Sequence, residues 1–483
     1  MRFFYRSTES IKLFKKNQQI MNRIFSKPLP LALVLLVVLA SCKVTQPYQT
    51  REVRSDGFFR GGNTADTNSI ATLSWQQFFA DTALQRLIGE GVNQNLDLQI
   101  AYTRIRQAEA YYQQSRAAFL PTLNSNLSVT ESKLSEAQGF GIRTSATQFQ
   151  LGLSSSWELD IWGRLSSSRR ASFASLLQTE AAARAIQTRI VSSIANLYYT
   201  LLALDQQLAI TEQTVRNWDT TVTTMRALKE AAIVTEAAVV QSEAQRYAAE
   251  VTIPDLKQSI REVENAISIL LGTPPGTVLR SRLEVQPMVT VLQTGVPAQL
   301  LANRPDVQQA EAAYRYAFEL TNVARTAFYP SLSITGSAGL SALSLANFLD
   351  PSSLAASIGA GLTQPIFNRR LNRTNLAVAQ QEQQAALLDF RNTLLVAGQE
   401  VSDAVSLHST ALEKMTVRTR QLTALEQSVA YTQELLRNGF ANYNEVITAR
   451  QSLLAAQLGR VNDKLQQLQA SVDLYRALGG GWR

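Results

Sequence analysis

The chain has 483 residues, a formal net charge of +8, one cysteine and one histidine. Seven basic residues and one acid lie before Cys42, a net +6, so the rest carries only +2 and lacks the basic surface that nucleic-acid binding requires. With so few ligating side chains, and no His-Glu-x-x-His, Cys-x-x-Cys or P-loop motif, the composition argues against an enzyme, a metal site and a bound cofactor.

The first predicted element is an export signal over residues 1–41. Two basic residues precede an apolar run from Leu29 to Ala40, which is too short to cross a bilayer but typical of a signal-peptide core. The run ends in Leu-Ala-Ser-Cys, the pattern that precedes the acylated cysteine of bacterial lipoproteins, whereas an ordinary signal peptide needs only a small-x-small site. We predict that Cys42 is lipidated and that residues 42–80 form the anchored segment. Met21 directly precedes the basic and apolar parts of this signal, so Met1 and Met21 are both candidates for the start of translation.

The body of the chain is a tandem repeat. The stretches "SRAAFLPTLNSNLSV" (Ser115–Val129) and "ARTAFYPSLSITGSA" (Ala324–Ala338) both read as a helix end, a proline corner and an alternating strand. The repeats cover residues 81–271 and 301–478, joined by a connector over 272–300 and followed by a tail over 479–483. In each repeat we predict a helix, a β-hairpin, a long helix and a shorter helix, in that order. In the first repeat these elements cover residues 82–118, 121–160, 164–229 and 236–271, and the last helix has a kink at Pro254. In the second repeat they cover residues 306–328, 330–367, 372–437 and 442–478.

The four strands have the length of membrane strands. Each is close to the 9–11 residues of a tilted transmembrane β-strand, and the only charged residue from Ser331 to Phe367 is Asp350. Four strands cannot close a barrel, and an open edge in lipid leaves unpaired backbone groups. Other copies must supply the edges: two copies give eight strands and three give twelve. The strand geometry prefers neither firmly, although long helices that must also close in a ring favour the wider tube.

The strongest helical pattern lies between Leu387 and Leu436, where apolar or small residues recur at steps of three and four. This spacing is typical of a coiled-coil seam. His408 occupies one seam position, and we predict a packed residue there rather than a ligand. The fold class is therefore mainly α with long coiled-coil hairpins, plus four membrane β-strands per protomer.

Seven blocks in order resemble the outer membrane factor family, the TolC-like channels, and most closely its OprM/NodT-type efflux lipoproteins. They begin with "WQQFFADTALQRLIGEGVNQNLDLQIA" and "WELDIWGR", and the most specific is "LLANRPDVQQAEAAYRYAFELTNVARTAFYPSLSITGSAG". "LTQPIF", "QEVSDA", "LLRNGFANYNEVITARQSLL" and "LYRALGGGW" follow. The resemblance implies a homotrimer with a twelve-stranded β-barrel in outer-membrane lipid and an α-helical barrel in the periplasm. It also implies a passive exit duct for small molecules such as drugs and toxic compounds, working with a periplasmic adaptor (membrane fusion) protein and an inner-membrane RND-type pump.

The same resemblance implies that the helical tips dock onto the adaptor. The second tip matches the family's Arg-x-Gly turn through Arg437, Asn438 and Gly439. The first tip departs from it, because Ala231 and Ala232 stand where a glycine is often found. A simpler interpretation is that Gly439 only ends a helix.

The periplasmic gate also departs from the family. The position of the usual aspartate reads Thr448, a hydrophobic ring position reads Asn444, and a basic one reads Gln451. We predict a polar constriction of Tyr443, Asn444 and Thr448 in place of a charged ring. Glu445 is the nearest acid.

Two alternatives remain open at this level. One is an exit duct for an ATP-driven polypeptide secretion system, which the lipoprotein signal and the Arg-Pro-Asp block disfavour. The other is a structural periplasmic coiled-coil lipoprotein, which the four strands of low charge disfavour.

Overall fold

The computed structural model describes residues 44–49, 70–133, 145–287 and 303–483. The lipidation residue predicted from sequence, Cys42, lies outside these ranges. The helices and strands of the first repeat are α1 (Trp75–Phe78), α2 (Thr82–Gln94), α3 (Leu96–Ala117), β1 (Thr122–Lys133), β2 (Ser145–Leu159), α4 (Arg164–Glu230), α5 (Glu236–Glu250) and α6 (Thr252–Leu270). The second repeat has α7 (Pro305–Thr326), β3 (Ser331–Ala342), β4 (Leu354–Thr363), α8 (Leu371–Arg437) and α9 (Tyr443–Ala477).

The chain divides into two compact units. The described residues of the sheet unit are 44–49, 115–133, 145–170 and 318–380. Those of the helical unit are 70–114, 171–287, 303–317 and 381–483. The tandem repeat is visible in both long helices, α4 and α8, which each contain 67 residues and begin 207 residues apart. None of the described helices combines the length and the apolar character needed to cross a membrane.

The sheet unit holds one antiparallel sheet in the order β1-β2-β3-β4. Its register aligns four leucines across the strands, since Leu127 faces Leu151, Leu151 faces Leu340 and Leu340 faces Leu354. The next row on the opposite face contains only small or polar residues: Asn126, Gly152, Gly339 and Ala355. Because side chains alternate along a strand, one face of the sheet is apolar and the other polar.

The corner between β2 and α4 is fixed by side-chain hydrogen bonds. Asp160 accepts from the Leu165 and Ser166 amides at 2.8 and 2.9 Å, which satisfies free N–H groups at the start of α4. Trp162 donates its indole N–H to the Pro330 carbonyl at 2.8 Å, and its ring lies 5.0 Å from that of Tyr329. The exit of the first hairpin is thus packed against the entry of the second.

In the helical unit, the predicted seam of α8 is its least exposed line. Ala397 and Val401 are fully buried, and His408 is 3% exposed, as expected for a packed residue. The charged seam residue Arg418 has a specific partner, because its Nε donates to Asp463 Oδ2 on α9 at 2.8 Å. Gly459 leaves room for this guanidinium: an added Cβ would lie 2.9 Å from Arg418 Cζ.

Two predicted single helices are each divided in two. The first breaks at Asn95, whose side chain accepts from the Leu98 amide at 3.1 Å and donates to the Leu270 carbonyl at 2.9 Å. An asparagine that caps a new helix and bonds to a distant carbonyl favours a break over continuation. The second breaks at Val251, so Pro254 lies in the first turn of α6, where no intrahelical N–H donor is required.

Candidate functional site

The two helical tips, Leu228–Ala238 and Leu436–Val446, fold as the same turn. In the first, the Ile233 amide donates to the Leu228 carbonyl at 2.9 Å; in the second, the Phe440 amide donates to the Leu435 carbonyl at 2.8 Å. An inner bond accompanies each, from Ala232 to Lys229 and from Gly439 to Leu436, at 2.9 and 3.1 Å. This pair of bonds defines a Schellman motif. Both long helices therefore end by the same mechanism.

The residue in the left-handed conformation differs between the tips. It is Gly439 in the second tip, with φ +76°, as the sequence predicts for a glycine that ends a helix. In the first tip it is Ala232, with φ +56°. The missing glycine therefore leaves the turn unchanged, although alanine in this conformation costs roughly 1–2 kcal/mol.

Each tip exposes a large apolar side chain directly after this residue. Ile233 is 60% exposed and Phe440 is 81% exposed. Charged pairs flank both, with Arg437 3.6 Å from Glu434 in the second tip and Lys229 paired with Glu236 in the first. An exposed apolar side chain surrounded by charged residues resembles the centre of a protein–protein interface, where an apolar core lies within a polar rim.

Glu445 has a structural role at the start of α9. The Asn442 side chain accepts from the Asn444 amide at 3.2 Å, and Glu445 Oε1 accepts from the Asn442 amide at 3.5 Å. This is a capping box, in which two side chains satisfy the free N–H groups of the first turn. The acid closest to the predicted gate is thus turned toward its own helix end.

The three predicted gate residues do not share one face. Asn444 and Thr448 are exposed and lie one helical turn apart on the same side of α9. Tyr443 is half-buried and packs against clusters that contain Leu436 and Trp218. Asn444 and Thr448 thus form an uncharged polar strip, while Tyr443 belongs to the packing between helices.

An apolar cluster joins the two tips. It contains Met225 of α4, Val239 of α5, Leu436 of α8 and Val446 of α9, all buried. Because these residues come from all four helices, the two repeats are held together here by apolar burial, which stabilises by about 25 cal/mol per Å². Movement of one tip without the other would expose this cluster.

Sequence reasoning missed Arg450, which links α9 to the first repeat. Its Nη1 donates to the Asn217 carbonyl at 3.0 Å, and its guanidinium lies 5.8 Å from the centre of the Trp218 ring. Burial lowers the pKa of Arg450, which still leaves an arginine charged near neutral pH. The residue lies within one of the seven quoted blocks, but the block does not indicate this role, because the partners Asn217 and Trp218 lie 233 and 232 residues away in the chain.

A second missed feature is the acid that holds α8 to α9. Asp463 is 2% exposed and accepts from Arg418, while Lys414 Nζ lies 3.0 Å from its other oxygen. Burial opposes ionisation of this carboxyl, but the bonds from Arg418 and Lys414 outweigh it and lower the pKa of Asp463. Helices α8 and α9 are therefore held together by this charged contact as well as by the apolar seam of α8.

Several of the proteins that this chain resembles are efflux proteins. The family model for "Outer membrane efflux protein" matches residues 87–273 and 296–480, so it matches each repeat once. The chain is similar to the cation efflux system protein CusC of Escherichia coli O6:H1, 28% identical over 465 residues, 95% of this chain and 99% of CusC. It is also similar to a toluene efflux pump outer membrane protein, TtgC of Pseudomonas putida, 29% identical over 93% of this chain and 94% of TtgC. A solved structure of CusC superposes with a TM-score of 0.81 and 27% identity, covering 91% of this chain and 100% of that one.

Proposed function

Because the chain belongs to the outer membrane efflux protein family, we propose that it is the outer-membrane channel subunit of a tripartite efflux system. It acts as a passive, trimeric exit duct for small molecules. The observation that carries this proposal is the four-stranded sheet, with one apolar face, one polar face and two edge strands, β1 and β4, that have no further strand beside them in the described part of the chain.

The open edges require other copies of the chain. Each unpaired backbone group in lipid costs several kcal/mol, so a sheet with two free edges is unstable in a membrane. Three copies give twelve strands and close the sheet with its apolar face toward lipid and its polar face toward the lumen. This requirement calls for more than one copy, and the long helices, which must also close in a ring, together with membership of the family favour three.

The duct needs partners on the periplasmic side. We assign the two tips to docking with a periplasmic adaptor protein, through Ile233 and Phe440 as apolar anchors and through the turn at Arg437, Asn438 and Gly439. The adaptor connects the duct to an inner-membrane pump of the RND type. The sequence holds no nucleotide-binding motif, so the energy for transport comes from the pump.

The gate at the periplasmic end is polar and uncharged. Asn444 and Thr448 form an exposed strip on α9, and in a trimer the three strips surround the axis. Closure then rests on hydrogen bonds and apolar packing between the tips instead of on a bound cation. The lipid on Cys42 anchors each subunit to the membrane, since several acyl chains bind far more durably than one.

Two relatives are named for different cargo, since CusC is called a cation efflux protein and TtgC a toluene efflux protein. A common duct for such different molecules agrees with selection by the pump. This chain therefore provides the exit channel, and it does not select which molecules are exported.

The decisive experiment compares two neighbouring residues on opposite faces of β1. Leu127→Arg places a charge on the apolar face, at a cost of about 2–4 kcal/mol near the bilayer midplane. Asn126→Arg places the same charge on the polar face. We expect the Leu127→Arg chain to be lost from the outer membrane, while the Asn126→Arg chain inserts and shows altered ion selectivity in planar bilayers.

The wild-type protein should form trimers in native mass spectrometry and conduct ions. Equal tolerance of both substitutions, or a monomer without conductance, would exclude the proposed channel.

A further inference from the structure

The two hairpins carry the same hydrogen bond at their first residues. Thr122 Oγ1 of β1 donates to the Ser156 carbonyl of β2 at 3.2 Å. Ser331 Oγ of β3 donates to the Thr363 carbonyl of β4 at 3.3 Å. A residue of β1 therefore corresponds to the β3 residue 209 positions later, and a residue of β2 to the β4 residue 207 positions later.

A second pair of bonds supports the same correspondence. The Trp157 indole N–H donates to the Phe119 carbonyl at 2.8 Å, and the Gln364 side-chain Nε2 donates to the Phe328 carbonyl at 3.2 Å. Trp157 and Gln364 are 207 positions apart, and Phe119 and Phe328 are 209 apart. The long helices that follow also begin 207 positions apart. The two hairpins are thus similar enough in structure that the strand register seen at one junction between hairpins predicts the register at the equivalent junction.

Within the described residues, one junction between hairpins is present, that of β2 with β3. There Ser155 faces Gly336 and Leu153 faces Ala338. On the proposed trimeric channel, the equivalent junction joins β4 of one copy to β1 of the next. Its register can be obtained by replacing each β2 residue with its β4 counterpart and each β3 residue with its β1 counterpart.

We infer that β4 pairs with β1 of a second copy in an antiparallel register that sets Leu362 opposite the second copy's Leu127. The same register sets Ala360 opposite Val129 and Gly361 opposite Ser128. This inference rests on the proposed function, and it specifies which residues form the subunit contact within the membrane.

The faces of the strands agree with this register. Leu127 and Leu362 are 71% and 67% exposed in the single chain, and the register sets them side by side on the apolar face that meets the lipid. A slip by one residue would turn the apolar side chains of β4 to the polar face, so it is excluded. The real competitors are slips by two residues, which would set Leu362 opposite Ser125 or Val129.

Cysteine pairs in the full-length protein test the register. The pairs Leu127→Cys with Leu362→Cys, and Ser128→Cys with Gly361→Cys, are oxidised in outer membranes with copper phenanthroline, which accepts two electrons per disulfide formed. Consecutive pairs alternate between the two ladder geometries, so one of these pairs has the closer Cα separation of about 4.5 Å. The shifted controls combine Leu362→Cys with Ser125→Cys or with Val129→Cys. Ser155→Cys with Gly336→Cys is the matched control within one chain.

We expect covalent species of up to three chains on non-reducing gels for at least one predicted pair. Their yield should exceed that of the shifted pairs by on the order of tenfold, because a two-residue shift separates the Cα atoms by about 7–8 Å. Cross-linking of a shifted pair, or of Leu362→Cys alone, would overturn the register. So would the absence of intersubunit cross-links in a protein that native mass spectrometry shows to be trimeric. A monomeric protein would instead overturn the proposed function.

Discussion

Replacing Gly439 by alanine should destabilise the second tip, and replacing Ala232 by glycine should stabilise the first. Both positions have positive φ in the same turn, and an added Cβ at Gly439 meets no atom within 4 Å. The effect is therefore one of backbone conformation alone, without a steric clash. The left-handed conformation costs alanine roughly 1–2 kcal/mol, while the lower entropy of its unfolded chain returns about 0.4–1 kcal/mol.

The net change is about 0.5–1 kcal/mol at each tip, with opposite signs. Hydrogen exchange measures this local opening directly, because a tip opens without global unfolding. We expect the Phe440 amide to exchange about two- to fivefold faster in Gly439→Ala, and the Ile233 amide to exchange slower by a similar factor in Ala232→Gly. The unchanged tip of each variant serves as its control. Faster exchange at Ile233 in Ala232→Gly would refute the conclusion that Ala232 is strained.

Three further substitutions test the anchor, the gate and the helix clamp. Cys42→Ser should leave an unprocessed or mislocalised precursor, whereas an unmodified N-terminus elsewhere in the native protein, found by mass spectrometry, would contradict the lipid anchor. Thr448→Asp should make single-channel conductance sensitive to millimolar divalent cations, because three aspartates then crowd one axis; strong block of the wild type would mean that another acid lines the gate. Asp463→Asn should weaken the contact of α8 with α9 by about 2 kcal/mol, less than for a fully buried pair because Lys414 and Arg418 remain partly hydrated. Since the folded pKa of Asp463 is lowered, its contribution is present above the ordinary aspartate pKa of about 4 and is lost as the pH falls through the folded value, so the exchange rates of the two proteins should converge below that ordinary pKa.

The sequence by itself predicts most of the secondary structure. The long helices begin and end within one residue of the predicted bounds. In α8 the local signals are the apolar spacing from Leu387 to Leu436 and the glycine at position 439 that ends the helix. The alternation in β4, from Leu354 to Leu362, likewise predicts one apolar face without knowledge of any partner strand. Where the prediction failed, at Asn95, the break depends on the distant Leu270 carbonyl.

The tertiary structure alone decided which side chains meet. The sequence predicts Tyr443 and Asn444 together at the gate, but adjacent residues on a helix point about 100° apart, so Tyr443 packs inward and Asn444 is exposed. Arg418 interrupts the apolar seam of α8, and its partner Asp463 lies 45 residues later in the chain, on α9. Ala232 adopts the conformation of a glycine because the surrounding hydrogen bonds and the buried cluster at the tips outweigh its strain of roughly 1–2 kcal/mol. Spacing along the chain determines the period of each element and, in α8, the face that is buried, whereas the partner that each side chain meets depends on how the helices pack against one another, which no local pattern specifies.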